Sequence, residues 1–398
     1  MNVIEKRKQV KKNNIIKVIR ENDEVSRYVL KKKTKYSMTT ILNSVTSLIE
    51  LGLITEEEST QKNVGRTPVY LNINPEGRYF VGIEFNAEKI KASVINFAVE
   101  VEYSKKYRMP KEATVDQVMY LLKIAISETL EQISDKAKIE GIGIGIPGYV
   151  DKQNGIALQY SYFKNWYNVQ VKKIIQDAFD YEVFIDNNIN ALAYHYRYEH
   201  REKKNFVIVS MQYGVRLGIV LDGEIFIGNK GNAGEIGHTK VYGGNRHCSC
   251  GKIGCLDSEI SYLGIEKKIN EYIQDGKMSD IARSIEENEH KFTMEMLGES
   301  IRSGNQDSKD LLRNITSYLG NTLLTVISVI DIEDIIVLNV YDLENEVFAK
   351  QVYETIKENS LEILVNSISV TCEVVDSFAA AKGAAIMMLE EKYGYVSE

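Results

Sequence analysis

Only 4 prolines, 4 cysteines and 1 tryptophan occur among 398 residues, and each scarcity removes a class of answer. So little proline, beside 27 glycines, leaves no collagen-like tract and no long low-complexity linker. Four cysteines do not frame a secreted disulfide scaffold, and three of them, Cys248, Cys250 and Cys255, crowd into eight residues. No stretch reaches the run of about 18 uninterrupted apolar residues that a membrane span needs. The longest apolar helical pattern, Leu319 to Ile332, is broken by Asn321, Thr322, Thr325, Ser328 and Asp331, which suits a buried core helix. The amino terminus is basic, but no apolar segment follows it, so neither export nor membrane insertion is signalled and the expected location is cytoplasmic.

What is present is ordinary globular material, 44% hydrophobic and 26% charged, long enough for two or three domains. The net charge of −7 hides an asymmetry. Residues 1–40 hold twelve Lys and Arg against four Asp and Glu, a net +8, whereas the remainder carries −15. A basic head gains by displacing counterions from a polyanion, and an acidic body adds no indiscriminate nucleic-acid affinity. A solvated charged helix would give the same local charge.

The head has a finer pattern. Ile15, Ile16 and Ile19 share one helical face, and a second short helix can run from Ser26, a good N-cap, to Lys33. Ser37 can cap a third helix, in which Met38, Ile41, Leu42, Val45, Leu48 and Ile49 recur at helical spacing. Its other face offers Thr39, Thr40, Asn43, Ser44 and Ser47, short hydrogen-bonding side chains suited to a major groove. Gly52 ends that helix, and Leu53-Ile54 and Pro68 to Leu71 read as two strands around a loop bearing Arg66. The order is that of a winged helix-turn-helix. A three-helix cap with a hairpin would show the same periods, but the basic charge, the short polar face and the arginine in the wing agree on DNA. Lys31, Lys32, Lys33 and Lys35 are expected near phosphates, Thr39, Thr40, Asn43 and Ser44 near base edges, and Arg66 toward a minor groove.

Asn72 to Arg78 reads as a short hinge into a body with two related halves. Strands at Tyr79 to Phe85, Lys89 to Phe97 and Val99 to Arg108, a helix at Val115 to Ile133 and a strand at Ile139 to Ile146 form one unit. Strands at Phe206 to Met211, Gly214 to Leu221 and Glu224 to Ile227, a helix at Ser308 to Ile330 and a strand at Ile335 to Leu338 repeat the order. A strand at Ser369 to Val375 and a helix at Ala379 to Glu390 are expected to close the second half. The expected organisation is an α/β body whose two lobes flank a ligand cleft, with a DNA-binding domain at 1–74, a first lobe at 75–200 and a second lobe at 201–398.

Gly234 to His238, followed by Cys248-Ser249-Cys250-Gly251-Lys252-Ile253-Gly254-Cys255-Leu256-Asp257, resembles the signature of the ROK family of repressors and sugar kinases. Gly143 to Gly148 and Gly65-Arg66-Thr67-Pro68 extend the resemblance over nearly the whole chain, toward the xylose-repressor type. It implies a duplicated, actin-like (ribonuclease H-like) two-lobed body. The residue types favour a metal independently of the resemblance: His238 with Cys248, Cys250 and Cys255 makes a closed tetrahedral set suited to structural Zn²⁺, with no open position for catalysis. A reduced cysteine cluster or a redox switch is the alternative. His247 adjoins Cys248, but the family pattern selects His238, leaving His247 exposed; Cys372 is expected as a strand core residue, and His195, His200 and His290 at the surface.

The resemblance also implies sugar contacts. Phe184 to Ala191 matches a run that places Asn187 and Asn188 against a sugar, and Glu235, His238 and Asp257 match the other contacts, with Asp257 shorter than the usual glutamate. Where the family's kinases carry a catalytic aspartate, this chain has Asn188, which has no carboxylate to accept a proton. Asp186 should point to the opposite face of its strand from Asn187. The two phosphate loops are altered to Glu84-Phe85-Asn86-Ala87-Glu88-Lys89 and Gln212-Tyr213-Gly214-Val215-Arg216, although Arg216 could meet an anion. As a purely structural residue, a cap, Asn190 fits best. The expectation is a non-enzymatic, sugar-responsive repressor of carbohydrate genes that binds double-stranded operator DNA as a homodimer or higher oligomer, with no membrane partner. Its rivals are an active ATP-dependent sugar kinase with a regulatory head and a regulator controlled by a protein partner.

Overall fold

The apolar spacing of the first fifty residues is realised as three helices. The computed structural model describes residues 3–58, 68–212, 214–288, 290–339 and 345–394, so Arg66 lies outside the described residues. Helix α1 (Val3–Arg20) buries Ile15, Ile16 and Ile19. Helices α2 (Arg27–Thr34) and α3 (Met38–Glu50) start at Ser26 and Ser37, whose side chains accept the Val29 and Thr40 N–H groups as capping requires. Antiparallel strands β1 (Ile54–Glu58) and β2 (Val69–Ile73) complete the winged helix-turn-helix order. The buried stripe of α3 is narrower than its period suggested. Ile41, Val45 and Leu48 are buried, whereas Met38, Leu42 and Ile49 remain exposed, because α1, α2 and β1 cover only one side of the helix.

The expected hinge is a fastened seam. Asn74 donates from its backbone to Leu53 O (3.0 Å) and from its side chain to Gly52 O (2.8 Å), and the Phe97 N–H reaches Pro75 O (3.0 Å). Leu30, Ile41 and Leu48 of the head share one apolar core with Phe80, Phe97 and Leu389. The boundary expected at residue 74 therefore does not separate two bodies: Met1–Arg201 and Phe378–Glu398 form one unit, and Glu202–Ser377 the other.

In the first unit, β3 (Tyr79–Phe85), β4 (Lys89–Asn96) and β5 (Val101–Arg108) form an antiparallel meander, followed by α4 (Val115–Glu131) and β6 (Ile139–Ile146). A small antiparallel sheet, β7 (Tyr149–Asp151), β8 (Ile156–Gln159) and β9 (Tyr167–Val169), precedes α5 (Val171–Phe179), β10 (Val183–Asn187) and α6 (Asn188–Glu199). The main sheet has the order β10-β6-β3-β4-β5, with β6 and β10 parallel to β3. The second unit begins with β11 (Phe206–Met211), β12 (Val215–Leu221) and β13 (Glu224–Ile225). Helices α7 (Leu256–Ile260), α8 (Tyr262–Gln274), α9 (Ser279–Glu287), α10 (Met294–Arg302) and α11 (Gln306–Ile330) lead to β14 (Asp334–Asn339), α12 (Asn345–Asn359), α13 (Glu362–Val365) and β15 (Ser369–Val374). Its order, β13-β12-β11-β14-β15, repeats the first sheet strand for strand and sense for sense, which is the duplication read from the sequence. Among the described residues no helix is long and apolar enough to cross a membrane.

The last helix, α14 (Ala379–Tyr393), corrects the expected second lobe of 201–398, because it packs on the first sheet and on α6. The reason is steric. A Cβ at Gly82 would lie 1.9 Å from Ala381 O, one at Gly143 1.9 Å from Ala384 O, and one at Gly383 1.8 Å from Ala191 O. Backbone meets backbone on both sides, and no larger residue fits. The described helix is rich in buried Ala, Met and Leu, as a helix covered on several sides must be. His195, expected at the surface, is buried on α6. Gly383→Ala is expected to destabilise the protein by at least the upper part of the usual overpacking cost of about 1–3 kcal/mol. An unchanged urea midpoint would contradict this packing.

Candidate functional site

On the head, Thr39 and Asn43 of α3 are exposed with Leu42 and Thr46, while Thr40 and Ser44 are half-buried. Ser47 is turned toward α1, where it accepts a hydrogen bond from Lys12 Nζ (2.7 Å). The last turn of α2 exposes Lys31, Lys32 and Lys33, followed by Lys35 in the left-handed conformation (φ 60°); Lys33 Nζ donates to Asn22 Oδ1 (2.6 Å). Strand β1 has the opposite charge. Glu56 pairs with Arg27, and Glu57 accepts from Asn72 Nδ2 (3.1 Å). Positive charge is thus concentrated on α2 and α1, beside the polar face of α3, rather than along β1.

In the first unit, the Asn187-Asn188 corner joins β10 to α6. Asn187 is the N-cap: its Oδ1 accepts the Ile189 N–H (2.9 Å), and its Nδ2 donates to Gly148 O. The capping role assigned to Asn190 belongs to Asn187, since Asn190 Nδ2 instead holds Asp186 Oδ1 (2.7 Å). Asn188, the first residue of α6, is half-buried. Asp186 is buried, with Lys152 Nζ 3.3 Å from its Oδ2. Burial works against the Lys152 ammonium, yet Tyr194, Asp186 and Glu391 outweigh it and hold the lysine charged. The turn between β3 and β4 is closed from within: Asn86 Oδ1 accepts the N–H groups of Glu88 (2.9 Å) and Lys89 (3.0 Å), and buried Glu84 faces Lys91 Nζ at 3.1 Å.

In the second unit, Glu235, His238 and Asp257 gather beside the start of β12. Asp257 Oδ1 accepts the Val215 N–H at 2.6 Å, and its Oδ2 lies 3.8 Å from His238 Nδ1. Burial raises the Asp257 carboxyl above its ordinary range, against the Val215 hydrogen bond and the nearby His238 and Arg216. Glu235 forms an ion pair with Arg216.

His238, Cys248, Cys250 and Cys255 converge, with all four ligand atoms within 4.8 Å of one another. The donor set can be tested by length. For a tetrahedral ion with bonds of about 2.3 Å to sulfur and about 2.0–2.1 Å to nitrogen, the edges are about 3.8 Å between sulfurs and about 3.6 Å from nitrogen to sulfur. The separations of Cys250 Sγ from Cys255 Sγ and of Cys248 Sγ from His238 Nδ1 are both 3.7 Å. The cluster fits such an ion, and binding through Nδ1 leaves Nε2 for another partner. Gly254, at φ 78°, has no room for a Cβ, which would lie 2.6 Å from Gly244 O. His247 is exposed and outside the set, as expected; Cys372 is half-buried on β15.

A fastening was missed at the sequence level. Arg246 makes a two-pronged ion pair with Glu271 (2.7 and 2.5 Å), lies 3.5 Å from Glu259, and accepts the Gly254 N–H on its carbonyl (2.9 Å). Buried Glu259 is also held by Lys268 Nζ (2.9 Å), whose pKa burial lowers despite that partner. The network ties the cysteine loop to α8. Its legible signal was Lys268 among the apolar positions Gly264, Ile265 and Ile269 of that helix. Cys250 is exposed, so Cys250→Ser should fold and yet lower bound metal below one equivalent per chain by elemental analysis; full stoichiometry would remove Cys250 from the ligand set.

The ROK family model matches residues 80–391. The xylose repressor of Caldicellulosiruptor bescii is 26% identical over 395 residues, covering 98% of this chain and 97% of its own. A solved ROK family transcriptional regulator, a homologue of the Escherichia coli Mlc protein, superposes with a TM-score of 0.85 at 25% identity over 98% of each chain. A ROK family glucokinase from Streptomyces griseus shares the fold at a TM-score of 0.67 and 20% identity, over 78% of this chain and 98% of its own. The matched stretch runs from the first body strand to the last helix, and the chain belongs to the ROK family.

Proposed function

We propose that the protein is a sugar-responsive, DNA-binding regulator of transcription, a repressor of carbohydrate-utilisation genes. The observation that carries this reading is the match to a xylose repressor over 98% of the chain, head included. The exposed polar face of α3 beside the lysines of α2 supports major-groove reading by Thr39, Thr40, Asn43 and Ser44, with Lys33 and Lys35 on phosphates. Arg66 remains assigned to the minor groove on sequence alone. Two heads on a pseudo-palindrome call for a homodimer, acting in the cytoplasm where its operator lies.

The groups proposed to read a sugar are Asn188 in the first unit and Glu235, His238 and Asp257 in the second. Asn187 belongs to the site chiefly by positioning, since its amide already holds Gly148 and Ile189. The four-ligand cluster is assigned a structural Zn²⁺, which fixes the loop leading into α7, where Asp257 lies. The reading as a non-enzyme is supported by Asn188, which cannot accept a proton, and by Asp186, whose carboxylate is occupied by Lys152, Asn187 and Asn190.

Two variants test the head. Asn43→Ala should relax base preference by about 1–3 kcal/mol at one position, whereas Lys33→Ala should weaken all duplexes alike and flatten the salt dependence. The reverse pattern, measured by fluorescence anisotropy, would displace α3 from the groove. A coupled assay with ATP and a panel of pentoses and hexoses should show no phosphoryl transfer; brisk turnover would overturn the non-enzyme reading.

A further inference from the structure

The three helices of the head differ in what they show to water. Helix α1 exposes Lys6, Arg7 and Lys8, and α2 exposes Lys31, Lys32 and Lys33. Helix α3 exposes Thr39, Leu42, Asn43 and Thr46, and from Tyr36 to Ile49 the chain has no charged side chain, although 26% of its residues are charged. Leu42 is 45% exposed. A single exposed leucine is ordinary, and here its position is what informs. Thr39 stands three residues before it and Thr46 four after it, so the three side chains adjoin on one helical face. The opposite side of the helix, with Ile41, Val45 and Leu48, is the one buried in the head, so packing there does not account for Leu42.

We propose that Leu42 is a specificity-determining residue that reads the C5-methyl group of a thymine in the major groove of the operator. The inference rests on the DNA-binding reading above and deepens it. Charge names the occupant of this face. Lys31, Lys32 and Lys33 at the end of α2, with Lys35 in the turn before α3, call for a polyanion, whereas the face itself has no charge and asks for hydrogen bonds and apolar contact. Duplex DNA meets both demands, with phosphates on the rims of the groove and base edges on its floor, where the thymine methyl is the apolar group. Thr39 and Asn43 can pair with donors and acceptors on those edges. Leucine cannot: against a polar edge it would strip water and replace none of the hydrogen bonds. Against a methyl group the two apolar surfaces leave water together, and contact is favourable. The N-terminal part of a recognition helix is what reaches the bases, and Leu42 is the fifth residue of α3.

The test is fluorescence anisotropy of the full chain on a duplex spanning its own promoter, with thymines replaced one at a time by deoxyuridine. That exchange removes the methyl group and keeps every hydrogen-bonding group of the base. At one thymine in each half-site it should weaken wild-type binding at least about threefold, roughly the worth of one buried methyl group. Leu42→Ala should bind the unmodified promoter more weakly by the same factor, ignore the exchange at that thymine and keep the wild-type salt dependence. Leu42→Met, which retains an apolar contact, should keep the discrimination. Undiminished promoter affinity in Leu42→Ala would overturn the proposal, as would exchanges that cost wild type and variant alike at every thymine. A Leu42→Ala variant whose weaker binding came with a changed mass by light scattering would assign the face to contact between copies of the chain, and overturn it too. A wild-type protein that bound its promoter no better than unrelated duplexes would end the sequence-reading account of the head itself, and this proposal with it.

Discussion

Helix α14 meets its surroundings backbone against backbone. Gly82 and Gly143 let it down onto the first sheet, and Gly383 brings its opposite flank against α6, with no space for one added carbon at any of the three. The same helix meets the head, where its Lys392 carbonyl accepts from Asn13 of α1 (2.9 Å), and its Tyr393 ring packs edge-on to Phe97, beyond the end of β4, at 4.9 Å. Helix α6 begins with Asn188, so the corner proposed to touch a sugar and the head proposed to touch DNA lie in one packed unit, linked through α6 and α14.

Among the described residues, several N–H groups at and beside turns are taken up by the chain's own side chains. Asn86 Oδ1 accepts the Glu88 and Lys89 N–H groups, Asp257 Oδ1 accepts the Val215 N–H, and Arg216 pairs with Glu235. Each internal bond leaves the donor satisfied without ligand. Asp186 is treated likewise, held by Lys152 and Asn190. The fold is shared with a glucokinase at 20% identity over 78% of this chain, and likeness of fold does not carry function with it.

Much of this was legible because local signals and tertiary needs agreed. The N-caps Ser26 and Ser37 and the strands at Phe206–Met211 and Ile139–Ile146 follow from spacing, the three cysteines from their ligand chemistry, and the choice of His238 as their partner from the resemblance to the ROK family. The destination of α14 was not legible, since its apolar residues mark it as buried without saying against which sheet; only the glycines of β3 and β6, far away in sequence, supply its seat. The exposed Leu42 and Ile49 show the converse limit, a periodic stripe wider than the neighbours that cover it. Arg246 and Glu259 were not legible because a charge network has no sequence period, and the capping role of Asn187 was not, because the resemblance speaks only of a sugar contact there.

The most direct measurement is the affinity of the full-length protein for a duplex containing its own promoter, titrated with neutral pentoses and hexoses. The account predicts tight binding to the promoter over unrelated duplexes and a change of at least about tenfold, equivalent to about 1.4 kcal/mol of coupling, with one of those sugars. Promoter binding indistinguishable from that to unrelated DNA, or an affinity that no sugar moves, would contradict it.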